Sequence, residues 1–497
     1  MTRLGVAAAL VLAAGAAPFV RLLATRPFRR KLRSFPRIGA AIGVVTVVGI
    51  ATVRVAATHA PSLLVAGAMV VACALGAAAW RARPAFGRRR GLPPGSLGLL
   101  PVGPIVDDRF FLRQAARHGP VFKTSQFARP MVCVVGLDRI VEVLRRYDDV
   151  LDPPALPFDA FVPGGFVRSM RGERHAATAA RLRPLASRDG IVAHEAFIAR
   201  AARDAFAALA AASALEGPVS PRPALRSLVF TILVRVLFGI GRDDPAFSRV
   251  AALYDVVDVR RPSGALRRQA RPALDELIAL VRAAGREGDS VVAAIAREHP
   301  EAMDDPTVVA NLVYVVQNAR DDTAGLLLWT LEMLGDHPEW AHALATTDDA
   351  HALALRIVLE TLRLEQSEFL FRKARTTLAI DGFVVPAGWL VRFCIRESHR
   401  DTALFPDPDR FDPDRFLTMP GRSAYSPFGA STSRHACLGE HITKAVASIT
   451  LTELARHFTW QVVTDGPREF DGWHWTPNEN FRIAITRRTP DTNTTSS

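Results

Sequence analysis

Before residue 81 the chain carries three apolar stretches, Leu4–Val20, Ile38–Ala57 and Leu63–Trp80, broken by a formal charge only at Arg54. A membrane-crossing helix needs about 20 such residues, with a practical minimum near 17. The pattern therefore predicts up to three transmembrane helices, at about 4–20, 38–57 and 63–80. The turn-rich run Gly91-Leu92-Pro93-Pro94-Gly95 then ends this regime, and Pro101 and Pro104 extend it into a stiff hinge over 91–104. Beyond it, apolar residues recur at helical spacing over Asp108–His118, Arg139–Arg146, Arg174–Leu185, Ala193–Ala212, Ala224–Leu237 and Ala350–Leu364. The longest pattern, Asp305–Asp336, has a capping residue at Asp305 and proline at the first helical position. Such a helix would run through the centre of the fold. Strand signals are fewer: Val121–Thr124, Met131–Val135, Thr377–Ile380, Phe383–Val385 and Leu390–Cys394. The expected class is mainly α with a small β portion, preceded by transmembrane helices. The tail, 489–497, is low in complexity.

Composition sharpens this picture in two places. Of 497 residues, 49% are hydrophobic and 22% charged, which excludes a disordered chain. The net charge of +13 invites a nucleic-acid reading, but residues 1–90 hold 14 Lys+Arg and no acid, leaving a near-neutral remainder. No nucleic acid is therefore expected, and the basic segment reads as loops between spans. The arginines at 21–37 and 81–90 would lie on the cytoplasmic side, giving a multi-pass membrane protein with its globular part in the cytoplasm. A cleaved signal peptide over the first stretch is the competing reading. The four cysteines, Cys73, Cys133, Cys394 and Cys437, show no CxxC spacing, against both a disulfide scaffold and a zinc ribbon.

Candidate chemistry centres on Cys437. The small-residue run from Pro427 through Phe428, Ser431, Ser433, Arg434 and His435 leads to this single sulfur, and a helical pattern begins at Glu440. A thiolate near a helix N-terminus is favoured by the dipole, and one cysteine suffices as an axial haem ligand. A buried structural cysteine is the bland alternative. Three further motifs are individually weak: Glu360-Thr361-Leu362-Arg363, Phe411-Asp412-Pro413-Asp414-Arg415-Phe416, and Ala319-Arg320-Asp321-Asp322-Thr323 within the long helix.

Together, in this order, the four motifs resemble the cytochrome P-450 family of haem-thiolate monooxygenases, over roughly residues 90–487. The Ala/Arg-rich, Lys-poor composition suggests a bacterial-like member. The resemblance implies a haem domain over 105–488 with haem b as cofactor and Cys437 as metal ligand. It implies haem contacts from His435, Arg372, Phe428, His175 and Arg181, and a structural network of Glu360, Arg363 and Arg415. Asp322 and Thr323 would be the acid–alcohol pair that delivers protons to dioxygen. Expected partners are a small apolar organic substrate, dioxygen, a ferredoxin or flavoprotein reductase, and the membrane. Two departures stand out. Phe428 is nine residues before the cysteine instead of seven, with Ser431 and Ser433 where glycines are usual, and Arg320 replaces a glycine of the long helix. They motivate two alternatives, a peroxide-using or peroxide-rearranging enzyme and a non-catalytic haem membrane protein.

Overall fold

The computed structural model describes residues 91–97, 103–126, 129–153, 162–187, 189–257, 264–284, 288–366, 370–418, 424–429, 434–464, 466–470 and 475–489. Within these, the helices that matter here are α1 (Phe110–His118), α2 (Leu137–Tyr147), α3 (Gly172–Arg181), α4 (Glu195–Glu216), α5 (Arg222–Phe238), α6 (Pro245–Val257), α7 (Gly264–Ala284), α8 (Val291–Glu298), α9 (Pro306–Asp336), α10 (Pro338–Thr346), α11 (Ala350–Thr361) and α12 (Glu440–His457). The strands are β1 (Val121–Gln126), β2 (Arg129–Val134), β3 (Leu151–Asp152), β4 (Leu370–Ala374), β5 (Leu378–Ile380), β6 (Phe383–Val385), β7 (Leu390–Phe393), β8 (Phe458–Thr464), β9 (Glu469–Phe470), β10 (Trp475–Thr476) and β11 (Arg482–Arg487).

Helix α9 is the axis of the molecule. Asp305 accepts a hydrogen bond from the Thr307 amide at 2.8 Å and Pro306 opens the first turn, so the helix starts where the sequence predicts. Its 31 residues are packed by α5, α7, α11 and α12 on different sides. Enclosure explains why apolar residues run nearly all round it instead of along one stripe. The main core gathers Tyr254, Leu312, Val313, Trp329, Ile357, Leu454 and Phe458 around this axis. A second core sits under a five-stranded sheet of order β1-β2-β7-β4-β3, where Ile140 and Leu144 of α2 meet Val132, Trp389 and Phe393. In that sheet β2 and β7 run parallel and the other neighbours antiparallel, and Arg372 on β4 lies opposite Val391 on β7.

The mainly α class with a small β portion is therefore what the chain forms, and its transmembrane part is corrected. Among the described residues no helix is long and apolar enough to cross a membrane. The physical reason lies in the long helices themselves. Helix α9 carries Arg320, Asp321, Asp322 and Glu332, and the more uniformly apolar α5 has only 17 residues, two of them arginines within its apolar run. This finding corrects the expected three-span anchor, the membrane as partner and the multi-pass localisation. The three apolar stretches at 4–20, 38–57 and 63–80 lie outside the described residues.

Four helices carry no clear sequence signal: α6, α7, α8 and α10. Helix α7 holds Pro272 in its interior, which a periodicity reading takes as a break. Strand β4 was hidden because Arg372 and Lys373 occupy two of its five positions. The cap on α9 also accepts from Arg181 Nη1 at 3.0 Å. Asp305→Ala removes both contacts, and the expected loss is about 1–2 kcal/mol, measured by urea unfolding.

Candidate active site

The deepest polar feature is the pair made by Glu360 and Arg363 at the end of α11, both fully buried. Arg363 Nε donates to Glu360 Oε2 at 2.6 Å and Nη2 to Oε1 at 2.8 Å. Its remaining protons reach the carbonyls of His399 (3.0 Å), Pro408 (2.8 Å) and Arg410 (3.2 Å). All five guanidinium donors are thus used. Glu360 accepts in addition from the Asp412 amide at 2.9 Å, and Arg415 Nε approaches it at 3.5 Å. Arg415 also donates to the carbonyls of Pro406 and Asp407. The three residues expected to form a network are together.

His399 carries this network to the sulfur loop. Its Nε2 accepts the Ser426 amide at 3.1 Å, its ring stacks on Tyr425, and Tyr425 donates its hydroxyl to the Leu359 carbonyl at 2.7 Å. Burial, then the cations Arg363 and Arg400, push His399 down to about 3, so it is neutral. Past Ser426, Gly429 adopts φ 88°, which a residue with a Cβ resists, and turns the chain. The Cys437 amide donates back to the Phe428 carbonyl at 3.1 Å and closes the loop. Lys444 Nζ lies 5.4 Å from the Phe428 ring centre. Ser431 and Ser433 lie outside the described residues.

Cys437 is exposed, yet desolvation by the surrounding protein pushes its thiol up to about 11, with the Gly439 amide acting in the opposite sense. Exposure of the residue combined with desolvation of its thiol is what a concave site produces. Three charged groups also act on the same thiol: Asp322 from α9, Arg168 from the turn Val167–Ser169, and Glu440 at the start of α12. The α9 face that remains accessible in mid-helix runs through Val315, the adjacent Asn318 and Ala319, Asp322 and Gly325, at helical spacing. That face and the Cys437 loop are the two walls of the cleft.

Basic side chains gather at one edge. The rings of His175 and His435 lie 4.0 Å apart. His435 is pushed down to about 3 by burial first, then by His175, Arg372, Arg168 and Arg434. Arg372, 1% exposed, is pushed down to about 10 by burial and by Arg168, with Asp148 opposing. His175 is lowered for the same reasons, burial first. Sequence reasoning missed Arg168, whose only signal is a charge inside the turn between buried Phe166-Val167 and Met170. Arg181 does not join the cluster, because it is held by Asp305.

The acid–alcohol motif divides in the structure. Asp321 is nearly buried and pairs with Arg226 Nε at 2.7 Å, a contact sequence reasoning did not find. Asp322 is exposed on the cleft face, while Thr323 is 2% exposed. Arg320 does not crowd the cleft: its guanidinium lies 5.9 Å from the Phe230 ring centre and acts on Tyr254, on the side turned to α5 and α6.

Comparison with known proteins supports this geometry. A Cytochrome P450 family profile matches residues 352–483, which includes α11, the 399–415 segment, the sulfur loop and α12. Abscisic acid 8'-hydroxylase 2 of Oryza sativa subsp. indica is 27% identical over 420 residues, covering 75% of this chain and 82% of its own. The corresponding protein of Arabidopsis thaliana is 25% identical over 447 residues, covering 80% and 90%. Among solved structures, a cyanobacterial P450 with bound retinoic acid superposes with a TM-score of 0.66 at 19% identity, covering 80% of this chain and all of that one. An OleT cytochrome P450 in complex with arachidonic acid gives 0.62 at 19%, covering 77% and 94%.

The fold is that of the cytochromes P450, with a thiol-bearing loop beneath a long central helix. The chain is a cytochrome P450 monooxygenase. The expectation of a bacterial-like member is corrected, since these curated relatives are plant enzymes; Ala/Arg richness reports base composition and not kinship. Such enzymes imply haem b. The residues fit that group on three observations: a reachable but desolvated sulfur, an accessible helix face opposite it, and a basic cluster suited to carboxylates at the cleft edge.

Removing one member of a fully buried pair strands the other charge, at a cost of about 3–5 kcal/mol. Arg363→Ala is therefore expected to abolish soluble folded protein or leave it haem-free, read by circular dichroism and pigment content. Arg249→Ala, which breaks an exposed pair with Glu276, is expected to leave both unchanged. His399 offers a pH test. It binds a proton near 3 when folded and near 6.5 when unfolded, so the unfolded state takes up more protons between these values. Stability from this residue is complete above about 6.5 and is lost as the pH falls toward about 3. His399→Gln keeps an acceptor without the titration, and its acid limb in urea unfolding is expected to be flatter by about one proton.

Proposed function

We propose that the chain binds haem b through Cys437 and hydroxylates a small, largely apolar organic molecule, drawing electrons from a separate ferredoxin or flavoprotein reductase. The observation that carries this reading is Cys437, an exposed residue with a desolvated thiol on which Asp322 of the accessible α9 stripe acts. When bound, the haem supplies dioxygen activation, passing one oxygen atom to substrate and releasing the other as water.

The protein's own groups then have separable tasks. Cys437 holds the iron, and the Gly439 amide tempers the charge on its sulfur. His435, Arg372, His175 and Arg168 receive the two propionates. Phe428 shields the loop. Glu360, Arg363 and Arg415 fix the segment that sets the loop's height. Asp322 holds and passes a proton above the cleft, where a carboxylate is within reach of a bound ligand.

The relatives named above act on abscisic acid, and the two solved neighbours hold retinoic and arachidonic acid. Small organic acids are therefore the first substrates to test. Their acid group would lie away from Asp322, because like charges repel in a poorly solvated cleft.

The test is optical. The reduced protein under carbon monoxide is expected to show the red-shifted Soret band of thiolate ligation, and Cys437→Ser to lose it. Titration of the ferric protein with abscisic, retinoic or arachidonic acid is expected to displace the Soret band to the blue. An unaltered spectrum in Cys437→Ser would overturn the assignment.

A further inference from the structure

The segment 162–171 carries Arg168 between α9 and the five-stranded sheet, and it is fastened at both ends. At the first, Asn311 of α9, fully buried, docks the backbone of the segment. Its Oδ1 accepts the Val167 amide at 2.7 Å, and its Nδ2 donates to the Gly165 carbonyl at 3.1 Å and to the Thr307 carbonyl of its own helix at 2.8 Å. Both amide protons and the carbonyl oxygen are used. Beside it Gly164, at φ 72°, lies so close to Thr307 that a Cβ would collide with that side chain, and Arg174 donates to the Gly164 carbonyl. At the second end, Arg171 pairs with Asp152 at 3.1 Å. Asp152 is on β3, opposite Lys373 of β4, and Arg372 is the next residue of that strand.

These two anchors decide where Arg168 lies. It is exposed, one residue past the Val167 amide and three before Arg171, so the segment delivers it to the part of β4 that bears Arg372. Its charge adds to burial in lowering Arg372, as a neighbouring cation does. A fold gains nothing by bringing two guanidinium groups together, but a site for a carboxylate does. Two such groups on separate elements grip one carboxylate only when the group on the irregular element is held in place.

We infer that Asn311 and Asp152 are positioning residues for anion binding: they hold the segment so that Arg168 and Arg372 close on one carboxylate of haem b from two elements. Asn311 lies about three turns before Asp322 and acts through the backbone of Gly165 and Val167 alone. The inference rests on the haem-thiolate reading above, and its test separates the two.

The test follows release of pigment from the full-length ferric holoenzyme to an excess of a haem-scavenging apoglobin. It compares haem b with its dimethyl ester, whose carboxylates are capped. Asn311→Ala is expected to speed release of haem b about tenfold and to leave release of the ester within about twofold of the parent. In an Arg168→Ala background the same substitution is expected to add less than about twofold, because the charge it positions is gone. Arg171→Ala frees the far anchor at an exposed position, so it tests the inference even where Asn311→Ala does not fold. It is expected to speed release of haem b about threefold and again to spare the ester. Equal acceleration of both pigments, a tenfold effect of Asn311→Ala that persists in Arg168→Ala, or unaltered release of haem b would overturn the inference. Absence of the red-shifted carbon monoxide band in the parent protein would instead overturn the haem-thiolate reading.

Discussion

One buried ion pair sets the geometry on which the rest depends. Glu360, on the last turn of α11, and Arg363, three residues on in the wider helical turn Leu362–Gln366 that follows, have no exposed side-chain surface. A charge so placed is tolerated only when every donor and acceptor is satisfied. Neighbouring side chains cannot meet that demand, so the backbone does: the carbonyls of His399, Pro408 and Arg410 and the amide of Asp412 all turn toward the pair. The segment from 399 to 412 has little regular structure of its own, and its path is dictated by these bonds. Such a pair contributes little net stability compared with an apolar replacement of the same volume. Its effect is to specify one course for a chain that could take many.

From there the constraint passes to the sulfur by contact. The Arg363 guanidinium fixes the His399 carbonyl, and the same residue's ring nitrogen receives the Ser426 amide. Tyr425, stacked on His399 and bonded to the Leu359 carbonyl, locks the loop base to α11 a second time. Three residues on, the Phe428 carbonyl accepts the Cys437 amide. The sulfur's position is thus reached in a few hydrogen bonds from a pair that makes no contact with it. His399 can play this part only while neutral, because Nε2 must accept. Burial, and then the cations beside it, lower its affinity for a proton and enforce that state.

How much of this was legible in the sequence follows from the range of each interaction. Helix α9 was readable because its cap, its proline and its length are local properties. Glu360, Arg363 and Cys437 were readable because each lies in a short motif. What escaped was long-range. Asp321 finds Arg226 nearly a hundred residues away, and His399 finds Ser426 across 27 positions. Strand β4 was masked by Arg372, whose charge suggests a surface until the basic cluster shows what it faces. Arg320, which stands where the resemblance expects a glycine, proves to lie two residues and about half a turn from Asp322, against an aromatic ring. The N-terminal reading failed differently, through trust in hydropathy and arginine placement, where no described helix supports a span.

The cleft itself is electrically asymmetric, and this links the motifs. Its edge near the cysteine collects Arg168, Arg372 and the two histidines, and burial, then their mutual repulsion, depresses His435 and Arg372. Crowding like charges is unfavourable unless an anion shares the space. Across from the sulfur, Asp322 supplies a negative charge on a helix otherwise sealed by apolar packing. A ligand filling this space is therefore sorted by polarity in two directions at once: anionic groups toward the basic edge, neutral or proton-bearing groups toward α9. One charge-rich motif on one helix is thus split in two, with Asp321 anchoring the helix to Arg226 and Asp322 presenting its carboxyl group on the accessible face.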